Sequence, residues 1–472
     1  MVFNSWSFLP FFLITLALYY AIRNWRSQKA LLLVSSYVFY GFFHPPYVLI
    51  LFASTLIDFF VSRRMDLASG RMRKVWLMLS LTSNLGMLAY FKYANFFLEN
   101  FTSLMTRIGI EYDAPNWNII LPVGISYYTF QTLSYSIDVY RRRLKPSQSL
   151  LDFGFFVAFF PQLVAGPIVR AVDFIPQTQE PERARFNGAR FGWGLHLLVF
   201  GLFGKIVLAD RLFAPIVDSV YANAQSVGFL AAWIGTISFS GQIFFDFAGY
   251  STSAIGVAMC YGFALPDNFR FPYAAAGFSD FWRRWHISLS EWLRDYLYIS
   301  LGGNRLGVVR TYFNLAMTML LGGLWHGAAW TFVIWGALHG AYLVLERLAT
   351  PVTARVSRFM GPAGLIPGIL ITYLAVCFAW VFFRARSFSD GLAIASAMVR
   401  PSAEWGGVEG LPILACIAMG ATILGHGLCR NTTIETVWAR YPALIRALIL
   451  GGILFLILAT RGEQRAFIYF QF

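Results

Sequence analysis

Two histidines, His326 and His339, lie in a run without charged residues, "LGGLWHGAAWTFVIWGALHG", at 321–340. An imidazole is the usual general base near neutral pH, and polar side chains inside apolar membrane segments are functional candidates. If 324–345 forms one helix, the offset of 13 positions between the two histidines separates them by about 20 Å along the axis. A catalytic pair must lie within hydrogen-bond reach. On a continuous helix the two histidines therefore belong to different sites.

The small residues beside each histidine predict different roles. Glycines within 322–327 let a substrate or backbone come close to His326 and let a helix break there. His326 is therefore either a catalytic general base, with Trp325 and Trp330 as walls of its site, or a structural histidine. His339 lies in the small-residue pattern 336–340, which favours close approach of a neighbouring helix. We predict that it is a hydrogen-bonded packing residue.

The composition indicates an integral membrane protein. Of the 472 residues, 58% are hydrophobic and 13% are charged, whereas soluble domains have roughly 25% charged residues. Apolar runs recur along the chain, for example at 7–22, 75–91, 366–383 and 443–459. A span needs about 20 apolar residues. We predict a single all-α polytopic domain over 1–472, with about ten to twelve transmembrane or re-entrant helices.

The net charge of +14 is explained by the membrane topology rather than by nucleic-acid binding. Cytoplasmic loops of membrane proteins accumulate Lys and Arg. The basic clusters at 23–29, 63–74 and 141–145 therefore predict cytoplasmic loops and an external N-terminus. The first apolar run lacks a basic leader and a small-residue cleavage site, so no cleavable signal peptide is expected.

Motifs of several other chemistries are absent from the sequence. The four cysteines at 260, 377, 416 and 429 lack metal-ligand spacing, so we expect no metal site and no disulfide framework. Neither G-x-S-x-G nor H-E-x-x-H occurs. The chain is thus expected to hold no bound cofactor and no hydrolase-like serine of its own.

Residues 280–300 predict one interfacial amphipathic helix, with "SD" at 279–280 as its N-cap and "GGN" at 302–304 as its stop. At about 100° per residue, one arc collects eight apolar side chains: Phe281, Trp282, Trp285, Leu289, Trp292, Leu293, Tyr296 and Leu297. His286 falls in the same arc. It is either a buried histidine hydrogen-bonded to a neighbouring segment or a site residue.

Five stretches resemble the bacterial membrane-bound O-acyltransferase family, of the alginate O-acetyltransferase type. They are "LPVGISYYTFQTLSYSIDVYR" (121–141), "FFPQLVAGPIVR" (159–170), "QIFFDFAGYSTSAIG" (242–256), "FWRRWHISLSEWLRDYLYISLGGNR" (281–305) and "GGLWHGAAWTFVIWGALHG" (322–340). Related branches acetylate peptidoglycan or cellulose, or transfer D-alanine to teichoic acids. The resemblance covers nearly the whole chain and implies a ring of transmembrane helices around a thin, funnel-shaped centre.

The resemblance also implies catalytic residues. The two characteristic histidines of the family fall on His286 and His326, and the second, in the W-H-G motif, is the one assigned to catalysis. His326 would take the proton of an attacking hydroxyl, while His286 would orient the acyl group or stabilise the oxyanion. Relatives usually carry an acid after "DFAGYS", where this chain has Thr252, so a role for that acid does not carry over.

The aromatic C-terminal tail, 466–472, ends "AFIYFQF". Such a tail suits an aromatic belt that anchors the last helix at the membrane surface. It also resembles the terminal aromatic motif of related transfer systems, in which a tyrosine hydroxyl carries the acyl group to a periplasmic partner. On that resemblance Tyr469 is a candidate relay nucleophile.

The implied reaction moves an acetyl group from cytoplasmic acetyl-CoA across the inner membrane toward an extracytoplasmic, alginate-like exopolysaccharide. A separate, serine-dependent periplasmic transferase would complete it. Three basic residues are candidates for the donor phosphates, and equally for anchoring to anionic lipid headgroups: Arg283, Arg284 and Arg294. Asp246 and Tyr250 are weaker substrate-binding candidates, and structural polar contacts explain them as well.

Three alternatives stay open at the level of the sequence. The acceptor could be peptidoglycan or cellulose instead of alginate. A transporter would also be polytopic with polar residues at mid-membrane depth, but it predicts inverted repeats, which the sequence does not display. A scaffold of a polysaccharide-secretion complex predicts that His326 is dispensable for polymer modification.

Overall fold

The structure is a computed structural model that describes residues 1–113, 115, 119–402, 412–460 and 465–468. Over these ranges it contains helices, turns and loops but no strand, so the all-α prediction is confirmed. The chain divides into two compact units. Unit 1 comprises Met1–Leu195 with Ala254–Pro266, and unit 2 comprises His196–Ser253 with Asp267–Phe472. A single domain over 1–472 stays a prediction.

Unit 1 is built around a cluster of phenylalanines. Its helices are α1 (Phe8–Ala21), α2 (Trp25–Gly41), α3 (Tyr47–Leu67), α4 (Gly70–Leu88), α5 (Ala94–Arg107), α6 (Ile125–Tyr140), α7 (Leu150–Ala158), α8 (Phe160–Leu163) and α9 (Ala171–Phe174). Phe155, Phe159, Phe174 and Phe263 are buried, and their rings lie 5.0–5.5 Å apart in successive contacts. These edge and stacked contacts give the unit a dense aromatic core.

Unit 2 carries the histidine motifs. Two long helices, α10 (Gly188–Phe203) and α12 (Phe229–Cys260), contribute residues to both units. The other helices of unit 2 are α11 (Ala214–Ala222), α13 (Phe278–Trp282), α14 (Ile287–Trp292), α15 (Val308–His326), α16 (Trp330–Met360), α17 (Leu365–Arg384), α18 (Phe388–Val399), α19 (Ile413–Leu428), α20 (Ile434–Ala439) and α21 (Ala443–Ala459). A π-helical segment, Leu293–Tyr298, continues α14.

Three helices in the described part of the chain are long and apolar enough to span a membrane. They are Phe229–Cys260, Trp330–Pro351 and Leu365–Arg384. Shorter apolar helices cover Phe8–Ala21, Phe388–Val399, Ile413–Leu428 and Ala443–Ala459. The short apolar runs of the sequence thus fold as short helices, and the total of ten to twelve membrane helices stays a prediction.

The prediction of one continuous helix over 280–300 is wrong. The segment is divided into α13, a turn, α14 and the π-helical segment, because His286 has a left-handed backbone with φ of 42° that a right-handed helix cannot contain. The "SD" pair is not the N-cap, since α13 begins at Phe278. The predicted apolar face is nevertheless buried at six of its positions: Phe281, Trp285, Leu289, Trp292, Leu293 and Tyr296.

The assumption of one helix over 324–345 is also wrong. Helix α15 ends at His326, Gly327 is extended with φ of −162°, and α16 begins at Trp330. The chain reverses there, and α15 packs along α16. A methyl group built on Gly336 would lie 2.5 Å from the carbonyl oxygen of Met319 in α15. The predicted close helix approach at 336–340 is therefore confirmed, and the 20 Å separation no longer applies.

We predict that Gly336→Ala destabilises unit 2 by about 1–3 kcal/mol, because the added methyl overpacks a backbone contact that cannot move away cheaply. Thermal unfolding in detergent measures the effect. Gly420→Ala in α19 is the matched control, since no neighbouring atom lies within 4 Å of its added carbon and alanine favours helix by about 1 kcal/mol. Equal unfolding temperatures of the two variants would contradict the packing argument.

Candidate active site

His326 occupies the C-terminal end of α15, inside an aromatic enclosure. Its imidazole is 5% exposed. The ring centroid lies 4.9 Å from Trp325, 5.0 Å from Trp335 of α16 and 5.3 Å from Phe383 of α17. Trp325 thus lies beside the histidine, whereas the second predicted wall residue, Trp330, is 57% exposed. Side chains of three helices, α15, α16 and α17, therefore meet at the His326 imidazole.

His286 is brought to the same place from the turn between α13 and α14. It is fully buried, and its ring centroid lies 6.5 Å from that of His326. Phe247 of α12 meets the other side of the ring at 4.6 Å in an edge-to-face contact. The two histidines are too far apart for a direct hydrogen bond.

Asn268 fixes the position of His286. Its Oδ1 lies 3.1 Å from Nδ1 of His286 and accepts from the backbone N–H of Ser288 at 3.3 Å. Its amide Nδ2 donates to the hydroxyl of Ser251 at 3.1 Å. The backbones are paired as well, because the N–H of Ile287 donates to the carbonyl of Asn268 at 3.0 Å. Asn268, which lies in the loop "LPDNFRFP", was not predicted as a site residue from the sequence.

The environment keeps His286 uncharged. Burial without a nearby opposite charge lowers its pKa to about 3. The ring is therefore neutral at physiological pH, with one protonated nitrogen and one free lone pair. His286 makes the hydrogen bond expected of a buried histidine. It also lies close to His326, as expected of a site residue.

His339 is fully buried in α16, on the far side of Trp335 from His326. Trp335 lies 4.7 Å from the ring of His339 and 5.0 Å from that of His326. Neither nitrogen of His339 has a hydrogen-bond partner among the described residues. Its role in packing agrees with the prediction, but the predicted polar contact is wrong, because its neighbours are aromatic rings such as Trp282 at 5.0 Å.

Asp246 ties the C-terminal segment to α12. One carboxylate oxygen lies 2.7 Å from Nζ of Lys205, and the other accepts from the backbone N–H of Ile468 at 2.8 Å. Lys205 also pairs with Asp210 at 2.9 Å. Ile468 is 2% exposed. The described end of the tail is therefore inserted into unit 2 rather than spread over its surface.

The neighbouring tail residue, Phe467, contacts the aromatic side chains of α12. Its ring lies 5.9 Å from Phe247 and 5.2 Å from Tyr250. Tyr250 is thus placed beside the tail. The candidate nucleophile Tyr469 lies outside the described residues, directly after this inserted segment.

The three candidate arginines have different surroundings. Arg284 pairs with Asp280 at 2.9 Å, and Arg294 makes two hydrogen bonds to Asp295 at 2.7 and 3.1 Å. Arg283 is exposed. Burial raises the pKa of Asp280, but hydrogen bonds from Arg430 and the backbone of Ala276 and the charge of Arg284 hold that pKa below its usual value. Arg284 is therefore engaged in a structural ion pair.

Arg294 also lines a cavity of about 330 Å³ between α14, α15 and α16. The wall is mainly apolar, and Arg347 of α16 adds a second guanidinium. Trp282 lines the cavity as well, and its ring lies 5.9 Å from Trp335, which in turn contacts His326. Arg347 was not predicted as a site residue, because a single arginine within a helix gives no distinctive signal in the sequence.

The segment that contains these histidines matches a known family. The model of the membrane-bound O-acyltransferase family, MBOAT, matches residues 128–387. The chain belongs to this family. MBOAT membership confirms the resemblance predicted from the sequence, together with the multi-pass membrane fold and the acyltransferase class of the enzyme. It favours an enzyme over the transporter and the scaffold.

Several MBOAT relatives are similar over most of the chain. The probable alginate O-acetylase AlgI of Azotobacter vinelandii is 41% identical over 406 residues, 84% of this chain and 78% of that protein. The protein of the same name from Pseudomonas aeruginosa is 42% identical over 401 residues, 84% and 75% of the two chains. The peptidoglycan O-acetyltransferase of Helicobacter pylori is 38% identical over 402 residues, 80% and 75%.

We predict that Asp246→Asn destabilises the protein by about 1.5–3 kcal/mol, because it removes one of the two carboxylates that pair with the buried Lys205. The amide oxygen can still accept from Ile468, so the loss reports on Lys205. Thermal unfolding in detergent measures it. Glu182→Gln is the control, since Glu182 and its partner Arg185 are 69% and 79% exposed, so its loss is about 0–1 kcal/mol. Equal losses would refute a special cost at Asp246.

Proposed function

We propose that this membrane-bound O-acyltransferase moves an acetyl group from cytoplasmic acetyl-CoA across the bacterial inner membrane for O-acetylation of an alginate-like exopolysaccharide. A serine-dependent periplasmic transferase completes the reaction. The observation that carries the proposal is the buried pair of rings, His286 and His326, 6.5 Å apart within the segment matched by the family. The alginate O-acetylase relatives support the acceptor.

A peptidoglycan acceptor is the second candidate. It is favoured by the similarity to the Helicobacter pylori peptidoglycan O-acetyltransferase over 80% of this chain. The two acceptors share the same membrane chemistry and differ in the protein that receives the acetyl group outside. The polymer that loses acetate on deletion of the gene distinguishes them.

In the proposed chemistry, His326 is the general base. It takes the proton of an attacking hydroxyl while that oxygen bonds to the thioester carbonyl carbon. The tetrahedral intermediate then breaks its carbon–sulfur bond, and the CoA sulfur leaves with the proton from His326. As the last residue of α15, His326 lies at the negative end of the helix dipole, which favours the imidazolium formed in this step.

Tyr469 is proposed as the first acyl acceptor. Asp246 holds the backbone of Ile468, the residue before it, on α12. Phe247, the next residue of α12, contacts the ring of His286. This anchoring supports delivery of the tyrosine hydroxyl to the histidine centre. A serine of the partner protein is the alternative nucleophile.

The cavity beside Arg294 and Arg347 is proposed to hold the donor. Along α16, the 12 positions from Trp335 to Arg347 span about 18 Å. Such a separation suits a long molecule with phosphates at one end and a thioester at the other. Arg283 and Arg284 would contribute to the basic surroundings. Anionic lipid headgroups are the competing ligands of these guanidinium groups.

We predict that purified protein incubated with isotopically labelled acetyl-CoA becomes acetylated, and that His326→Ala lowers the rate by about 10²–10⁴-fold, the usual contribution of general-base catalysis. Mass spectrometry locates and quantifies the label. His339→Phe is the matched control, because it replaces a buried histidine that also touches Trp335 by another aromatic ring. Its rate should stay near that of the wild type.

The same measurement tests the relay. Label on the Tyr469 peptide, lost in Tyr469→Phe, supports a tyrosine carrier. Full polymer acetylation by Tyr469→Phe would refute the relay while leaving the role of His326 intact. Undiminished label transfer by His326→Ala would refute the base assignment.

We predict that Arg347→Ala raises KM for acetyl-CoA by about tenfold, since one charged hydrogen bond contributes about 1.5–3 kcal/mol, and that kcat is little changed. Steady-state kinetics in nanodiscs of neutral lipid measures both constants. Arg355→Ala, at an exposed position on the same helix, is the control. A KM that changes only when anionic lipid is present would indicate lipid anchoring instead.

A further inference from the structure

The orientation of the Asn268 side chain is fixed by its neighbours. Its Oδ1 faces the backbone N–H of Ser288 at 3.3 Å and the hydroxyl of the same residue at 2.9 Å. A backbone N–H can only donate, so the atom facing it must be the oxygen of the amide. The amide nitrogen then donates to Ser251 at 3.1 Å. If the amide group were rotated by 180°, its NH2 group would face the backbone N–H of Ser288, and two hydrogen-bond donors would oppose each other.

The tautomer of His286 follows from that orientation. Its Nδ1 lies 3.1 Å from Oδ1 of Asn268. An oxygen that only accepts requires a donor, so Nδ1 carries the proton. In a neutral imidazole the other nitrogen, Nε2, then bears a lone pair. This nitrogen is buried and has no hydrogen-bond partner among the described residues.

Few titratable groups lie close enough to the His286 ring to change its protonation state. Five side chains face it: Phe247, Trp325, His326, Asn268 and Ser288. His326 is the titratable one among these five. Asp246, next to Phe247 on α12, is paired with Lys205. Among the described residues, His326 is therefore the titratable side chain in ring contact with His286, with the two centroids 6.5 Å apart.

We propose that Asn268 is a positioning residue that holds His286 in its Nδ1–H tautomer, so that Nε2 accepts a hydrogen bond from an oxygen lying between the two histidines. That oxygen, a water molecule, accepts from an N–H of His326 and donates to His286. The other nitrogen of His326 is thereby directed at the attacking hydroxyl. When His326 takes the proton, its N–H bond to the water becomes charge-assisted and stronger.

This arrangement changes the role expected of His286. An oxyanion needs a hydrogen-bond donor, and the Nδ1–H tautomer presents an acceptor to the centre. His286 therefore acts on His326 rather than on the oxyanion. The catalytic consequence rests on the proposed function of His326, whereas the tautomer of His286 does not.

Nitrogen-15 NMR of histidine-labelled, detergent-solubilised protein tests the tautomer directly. The His286 resonances are those that disappear in His286→Asn, a variant that keeps the backbone because asparagine tolerates positive φ. We expect a protonated Nδ1 and an unprotonated Nε2. A protonated Nε2 would overturn the proposal, even if the protein is an active acetyltransferase.

The pH profile of acetyl transfer tests the coupling to His326. Asn268→Asp keeps an acceptor for Nδ1 but adds a negative charge, which raises the pKa of His286 by about 1–3 units. Below that pKa Nε2 becomes a donor and the water bridge is lost. The acid limb of kcat/KM should therefore move to higher pH, with activity recovering as the pH rises.

Asn314→Asp is the matched control for this measurement. Asn314 is also fully buried in unit 2, but its side chain donates to the carbonyl of Gly303 at 2.8 Å. The acid limb of kcat/KM for Asn314→Asp should stay at the wild-type pH even if the stability of this variant falls. Equal shifts in both variants, or no shift in Asn268→Asp, would overturn the coupling. Where Asn268→Asp does not fold, the NMR result decides.

Discussion

A polar group buried in the apolar interior of a membrane protein must find its hydrogen-bond partner inside the protein, because leaving it unpaired costs several kcal/mol. In unit 2 the amide of Asn268 meets this requirement for two segments at once, the start of α14 through His286 and Ser288 and helix α12 through Ser251. The loop carrying Asn268 is thereby pinned against the turn after α13. The left-handed backbone of His286 persists because these bonds over-determine it.

Two interruptions of helical structure, at His286 and at Gly327, assemble the histidine centre. Side chains on one continuous helix are spread along its length, and those on opposite faces cannot converge. A turn at His286 and a helix that ends at His326 place both rings at breaks in helical structure. Close backbone contact between α15 and α16 at Gly336 keeps this meeting point compact.

The sequence predicts the features that depend on periodicity or on local motifs. The apolar face containing Phe281 and Leu289 is buried as its spacing indicates, and the glycines near His326 do mark a helix end. Asn268 could not be predicted in this way, since its role arises from contacts 17–20 residues away along the chain. The hydrogen bond expected for His339 failed for the same reason, because a helical wheel does not reveal that the facing side chains are aromatic.

Helix α12 contacts both the described tail residues and His286. Asp246 and Phe247 are consecutive residues, and their side chains point about 100° apart around the helix. The carboxylate accepts from the backbone of Ile468, while the phenyl ring lies against His286. The position of Ile468 relative to His286 is therefore set by two adjacent residues of α12. The described tail residues Phe467 and Ile468 are thus held on the same helix that contacts His286.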